Sequence, residues 1–169
     1  MVVNKKLILA SASQRRKILL KQIGLSFDVA ESNASEDFDV GKTVADNVQD
    51  IARRKAESVS ATFNNNFIIG ADTVVVLSGK IMTKPKDEND ARQMLSELSA
   101  NTHEVFTGFV ILDRPSDKFV STFERTKVTF RALSPNEINE YVRSGSPMDK
   151  AGAYGIQDDY GAVFVERID

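Results

Sequence analysis

A mixed α/β fold, with a twisted sheet flanked by helices, is predicted by three features of the chain. Continuous apolar runs, Phe67 to Leu77 the strongest, read as strands buried on both faces. Amphipathic stretches at helical spacing alternate with them, the longest from Thr43 to about Ala61. Turn signals at Ser78-Gly79 and around Pro115-Ser116 join neighbouring strand patterns directly, so the sheet is not purely parallel. No repeat, low-complexity tract or linker interrupts the pattern, and residues 1–169 read as a single domain.

The elements follow in order. Lys6 to Ala10 is an apolar run bounded by polar residues, hence a strand, and Ser11-Ala12-Ser13 supplies N-cap chemistry for a helix from Gln14. Ile18, Leu19 and Ile23 recur at helical spacing along it, and Gly24 is its stop. A second strand is expected over Ser26 to Ala30, then an acidic loop from Glu31 to Lys42. The Thr43 helix presents Val44, Val48, Ile51, Ala52 and Val59 on one face. After the strand at Phe67 comes a hairpin into Lys80–Met82, then a helix from Asp87 to Leu98 with Ala91, Met94, Leu95 and Leu98 inward. Two long strands are expected near His103–Leu112 and Phe119–Arg131. Ser134-Pro135-Asn136-Glu137 reads as a capping box with proline in the first turn, opening a helix that ends near Ser144-Gly145. The last strand is expected at Ala162 to Ile168.

Composition excludes several classes of function. Lys+Arg 22 stand against Asp+Glu 24, a net charge of -2, without the basic excess of a general nucleic-acid binder. An anionic ligand must therefore be held by a local cluster of cations. With Cys 0 there is no disulfide framework, zinc-thiolate site or cysteine nucleophile, and a cytoplasmic, reducing setting is the inference. No apolar run approaches the roughly 18 residues of a membrane span. Lys5-Lys6 and Arg15-Arg16 flank too short an apolar core for an export signal, so the N-terminal stretch is read as part of the fold.

Three segments could carry chemistry. Ser11-Ala12-Ser13-Gln14-Arg15-Arg16 runs from a strand into a helix start, where unpaired amides, hydroxyls and guanidinium groups suit a phosphate. An ordinary N-cap followed by solvated arginines would read the same. Asp72, within Gly70-Ala71-Asp72-Thr73, is an acid in an apolar strand, expensive to bury unless paired or bound to a cation. It is either a metal ligand or general base, or an acid that faces water from an edge strand or pairs with a structural lysine. Gly70 beside it permits a close backbone approach. Asp149 to Gln157 is rich in glycine and alanine, so its backbone can approach a ligand, with Lys150 for phosphate and Gln157 for a base edge. A flexible glycine loop with a charged rim is the competing reading. Thr83-Lys84-Pro85 adds one stiffened cation, and Lys55 faces either solvent or the cleft. His103, the only histidine, is read as structural, which leaves proton transfer to carboxylates or a metal-bound water.

Together LILASASQRR, Ile-Ala-Arg-Arg-Lys-Ala ending at Ala56, GADTVV, Lys84-Pro85 and PMDKAGAYGIQ resemble the Maf family of nucleoside triphosphate pyrophosphatases, in family order from Leu7 to about Ile168. The resemblance implies the fold of the inosine triphosphate pyrophosphatases, with a central cleft, and hydrolysis of a nucleoside triphosphate to monophosphate and pyrophosphate with Mg²⁺ or Mn²⁺. It implies Asp72 as proton acceptor, and Arg15, Thr73 and Gln157 as the positions that mark the dTTP/UTP branch. Ser11, Ser13, Arg16, Lys55, Lys84 and Lys150 match the phosphate-binding set, and Glu36 with Asp72 the metal ligands. Relatives of this kind suggest a homodimer, and a role in preventing incorporation of non-standard nucleotides and in cell-division arrest.

The chain departs from the family pattern in three places. Gln14 stands where proline is usual, Asp158-Asp159 stand where small residues follow the glutamine, and Asp169 falls where members continue through a Gly-Leu-Pro segment and a final helix. The last departure gives weight to a rival reading, a nucleotide-binding regulator of cell division without catalysis. A nucleic-acid module built on Arg15, Arg16, Arg53 and Arg54 is disfavoured by the charge balance and by the lack of aromatic platforms near those arginines.

Overall fold

The computed structural model describes residues 5–157 and 159–169, with the backbone alone at Asp159. Its elements are β1 (Lys6–Leu9), α1 (Gln14–Gln22), β2 (Asp28–Val29), α2 (Val44–Ser60), β3 (Asn66–Leu77), β4 (Lys80–Met82), α3 (Glu88–Leu98), β5 (Thr102–Asp113), β6 (Lys118–Phe130), α4 (Pro135–Arg143) and β7 (Val165–Ile168). The strands form a seven-stranded sheet in the order β2-β1-β3-β5-β6-β7, with β4 on β3. β1 runs parallel to β2 and β3, whereas β3–β4 and β6–β7 are antiparallel, so the sheet is mixed as expected. Ser78 and Gly79 both take positive φ, the backbone of a two-residue hairpin turn whose twist matches its strands.

The chain divides into two compact units, one up to Asp72 with Thr107–Glu124, the other Thr73–Phe106 with Arg125–Asp169. In the first, α2 lays its apolar face on the sheet. Ala52, Ala56 and Val59 pack with Ile8, Ile68, Val110 and Leu112. Thr43 caps α2 by accepting a bond from the Asp46 amide. Two glycines let that helix lie close. A Cβ at Gly70 would stand 2.0 Å from the Ala52 carbonyl oxygen, and one at Gly108 would stand 2.6 Å from that of Val48. The close approach at Gly70 is thus made by a helix, not by a ligand.

The second unit has its own core, in which Leu95 and Leu98 of α3 and Tyr141 and Val142 of α4 pack with Phe130 and Phe164. The capping box at Ser134 and Glu137 forms as expected, with proline in the first turn of α4.

α1 starts at Gln14 as expected but buries none of its residues, and Ile18 and Leu19 are exposed, as is Ile23 just beyond it. Two sequence expectations are corrected. β2 has only two residues, because pairing with β1 is confined to Asp28 and Val29. Ala162 to Phe164 belong to a 3-10 segment, and β7 starts at Val165, which pairs with Phe130.

Candidate active site

In the first unit the strand-to-helix corner after β1 folds back on β3. Ser11 is buried, and its Oγ accepts bonds from the Ser13 amide at 3.2 Å and from Arg16 Nη1 at 3.1 Å. The same guanidinium nitrogen donates to the carbonyl oxygen of Ala71 at 2.8 Å, tying the start of α1 to the residue before Asp72. Partial burial of its half-exposed side chain pushes the Arg16 guanidinium below its usual value, and Asp72 opposes that shift. Arg16 is therefore a built-in part of the corner, not a solvated arginine. Ser13, the N-cap of α1, makes no side-chain cap bond, and Arg15 beside it is half-buried.

Asp72 lies on β3, a strand inside the sheet, and is only 6% exposed, which eliminates the reading of an acid that faces water. Its Oδ1 accepts a bond from Lys55 Nζ at 2.7 Å, and Glu36 Oε1 lies 2.6 Å from the same nitrogen. α2 explains the meeting, since Lys55 falls on the helix face that carries Ala52 and Ala56 onto the sheet. The sequence left Lys55 facing solvent or cleft, and the structure buries it between two acids. Burial pushes the Asp72 carboxyl above the usual carboxylate value, with Lys55 pulling against it and Glu36 adding to it. Both acids offer hard oxygen donors to one cationic atom.

Such a pair fits a Mg²⁺-type ion, which one or two carboxylates hold together with substrate phosphates. Among the described residues no group of three or more metal-binding side chains exists.

The second unit carries the remaining candidates. Lys150 is buried, its Nζ donating to the Ser146 carbonyl at 2.6 Å, to Ser146 Oγ at 3.0 Å and to Asp149 Oδ1 at 3.0 Å. Sequence reasoning missed Ser146, which carries no motif signal of its own. Thr73 is half-buried, while Lys84 and Gln157 are exposed. The glycine-rich segment is not a loose loop. Gly152 takes a φ of +67° with its missing Cβ 2.8 Å from a Val75 methyl, and its amide donates to the Thr83 carbonyl at 3.1 Å. Asp158 and the side chain of Asp159 lie outside the described residues. A hollow of about 290 Å³ lined by Arg92, Ser96, Pro135 and Asn139 contains none of these candidates.

The structure thus brings Ser11, Arg16, Glu36, Lys55 and Asp72 together in one unit, and ties Lys150 within the other. A buried acid on a central strand, a lysine bridging it to a second acid, and a helix start bearing an arginine are residue types suited to phosphate anhydrides. The profile described as Maf-like protein matches residues 6–169, and the chain belongs to the Maf family. It is 46% identical over 166 residues to a dTTP/UTP pyrophosphatase of Clostridium perfringens, covering 97% of this chain and 86% of that one. The protein of the same description in Clostridium botulinum is 48% identical over 168 residues, again 97% and 86%. Among solved structures, that of the Staphylococcus aureus Ham1 protein superposes with a TM-score of 0.50 at 16% identity, over 75% of this chain and 72% of that one, a likeness of fold alone.

Proposed function

We propose that this chain hydrolyses dTTP and UTP to the monophosphate and pyrophosphate. The observation that carries the reading is the buried Asp72–Lys55 pair, with the exposed Glu36 on the same lysine, beside the Ser11–Arg16 corner. Its relatives' description as dTTP/UTP pyrophosphatases supports the substrate class. Water attacks the α-phosphorus, the bond from that phosphorus to the oxygen bridging to the β-phosphorus breaks, and pyrophosphate leaves with that oxygen. Asp72 accepts the proton of the attacking water, a role favoured by a carboxyl whose proton affinity burial has raised. Asp72 and Glu36 would hold a Mg²⁺ or Mn²⁺ ion, which when bound neutralises charge on the phosphate oxygens.

Arg16, Ser11 and Ser13 meet phosphate oxygens at the start of α1, where the first-turn amides and the helix dipole add to them. Lys55, held by two acids, positions those acids and supplies charge close to the phosphates. By family position Lys84 and Lys150 are assigned to phosphate, and Arg15, Thr73 and Gln157 to the nucleoside. A cysteine-free chain suits a cytosolic nucleotide enzyme, and among the described residues no helix is long and apolar enough to cross a membrane.

Release of pyrophosphate from a panel of nucleoside triphosphates with Mg²⁺ tests the reading. dTTP and UTP are expected to turn over fastest, and Asp72→Asn is expected to lower kcat by about 10²- to 10⁴-fold. Near-parental turnover by that variant overturns the assignment of Asp72. Nucleotide binding without turnover by the parent favours the regulator.

A further inference from the structure

A buried polar pair that the proposed chemistry does not use lies in the second unit. His103, at the start of β5, is 1% exposed, and its Nε2 lies 2.6 Å from the hydroxyl of Tyr154. The rings of His103 and Tyr154 stand edge-on to Phe130 at centroid distances of 5.0 and 4.7 Å. Three aromatic rings would fill this volume without any polar atom. Instead the imidazole brings in a second nitrogen, Nδ1, which is buried with no partner among the described residues. An arrangement that costs folding free energy and leaves an orphan atom is explained by the geometry that it fixes.

That geometry is the backbone of residues 149–157. Gly152 and Ala153 lie in succession at φ of +67° and +64°, and Ala153 is a buried residue with a Cβ in the left-handed region. Such a conformation persists only where its surroundings over-determine it. Four restraints do so here: the Gly152 amide on the Thr83 carbonyl, the Ala153 amide on the Lys150 carbonyl, Gly152 against Val75, and the Tyr154 hydroxyl on His103. The last acts on the side of the strained pair that leads to Gln157. Edge-on ring contacts are non-directional toward the Tyr154 hydroxyl, whereas the hydrogen bond fixes its position.

We propose that His103 is a positioning residue, whose bond to Tyr154 sets the backbone of residues 149–157 and so places Lys150 and Gln157 for the nucleotide. The inference rests on the pyrophosphatase reading for the roles of those two residues. Its structural half stands apart from it.

The test compares Tyr154→Phe, which removes the hydroxyl alone, with the double variant His103→Leu/Tyr154→Phe, which removes both partners. Removing both leaves no unpaired group, so the double variant is expected to melt near the parent. Its KM for dTTP is expected to stay about five- to tenfold above the parent's, with kcat within about twofold. Trypsin, applied without nucleotide, is expected to cut after Lys150 several times faster in both variants. If KM returns to the parental value along with the melting temperature, the pair is merely structural and the proposal is overturned. An unchanged rate of cleavage after Lys150 overturns it equally, and does so even if the parent releases no pyrophosphate. Should the double variant not fold, Tyr154→Phe decides on KM and cleavage alone.

Discussion

Lys55 shows how one side chain sets the electrostatics of this site. The side chains of Lys55 and Asp72 are only 10% and 9% exposed, whereas that of Glu36 is 53% exposed and screened by water. Lys55→Met would leave Asp72 buried without its cation, a change expected to cost about 3–5 kcal/mol. The sign of its pH dependence follows from the raised affinity of Asp72 for its proton. A neutral carboxyl carries no such cost, so the penalty is smallest in acid and full once pH exceeds the folded-state value. Urea unfolding of parent and variant at several pH values checks this. An equal penalty at every pH would mean that lost packing, not the stranded charge, is responsible.

His103 acts in the opposite direction. Burial pushes its imidazole from 6.5 down to about 4, so the folded protein holds it neutral where the unfolded chain takes up a proton. Burying it neutral carries no protonation penalty above 6.5, and the penalty grows as pH falls to about 4. The penalty should approach about 3 kcal/mol. In His103→Leu the difference between stability at neutral and at acidic pH should shrink by that amount, as measured by urea unfolding.

At the scale of elements, close packing of α2 on the sheet decides where the site forms. Gly70 and Gly108 are contact points for this helix, and a methyl at Gly70 would overlap the Ala52 carbonyl oxygen. Gly70→Ala is therefore expected to cost about 3 kcal/mol or more and to displace Lys55, which sits one turn along the helix from Ala52. Thermal melting and pyrophosphate release should fall together. By contrast Ser134→Ala removes one half of the α4 capping box and should cost only about 1 kcal/mol, with kcat unchanged.

α2, α3, β3 and the capping box of α4 were readable because local chemistry and burial agree in them. α1 was readable as a helix but not as a surface, for a recurring Ile or Leu shows what could be buried and not what is. β2 was overread because a strand's length depends on its partner.

At the scale of the molecule, a net charge of -2 leaves no long-range field to gather anions. Nucleotide affinity must come from a few cations at short range. Single-stranded oligonucleotides are accordingly expected to bind only weakly at physiological salt, which a fluorescence anisotropy titration would check. Chelation of divalent ions by EDTA is expected to abolish pyrophosphate release, and added Mg²⁺ to restore it.

What the amino-acid sequence determined alone is the fold class and most element positions. These depend on local propensity, periodicity and residue type, all of which act over a few neighbours along the chain. Tertiary structure alone decided that Lys55 lies between Asp72 and Glu36, that Arg16 binds the Ala71 carbonyl, and that His103 holds Tyr154. Each of these pairs joins residues far apart in the chain, and their distances are set by how helix and strand pack, a property no single segment contains.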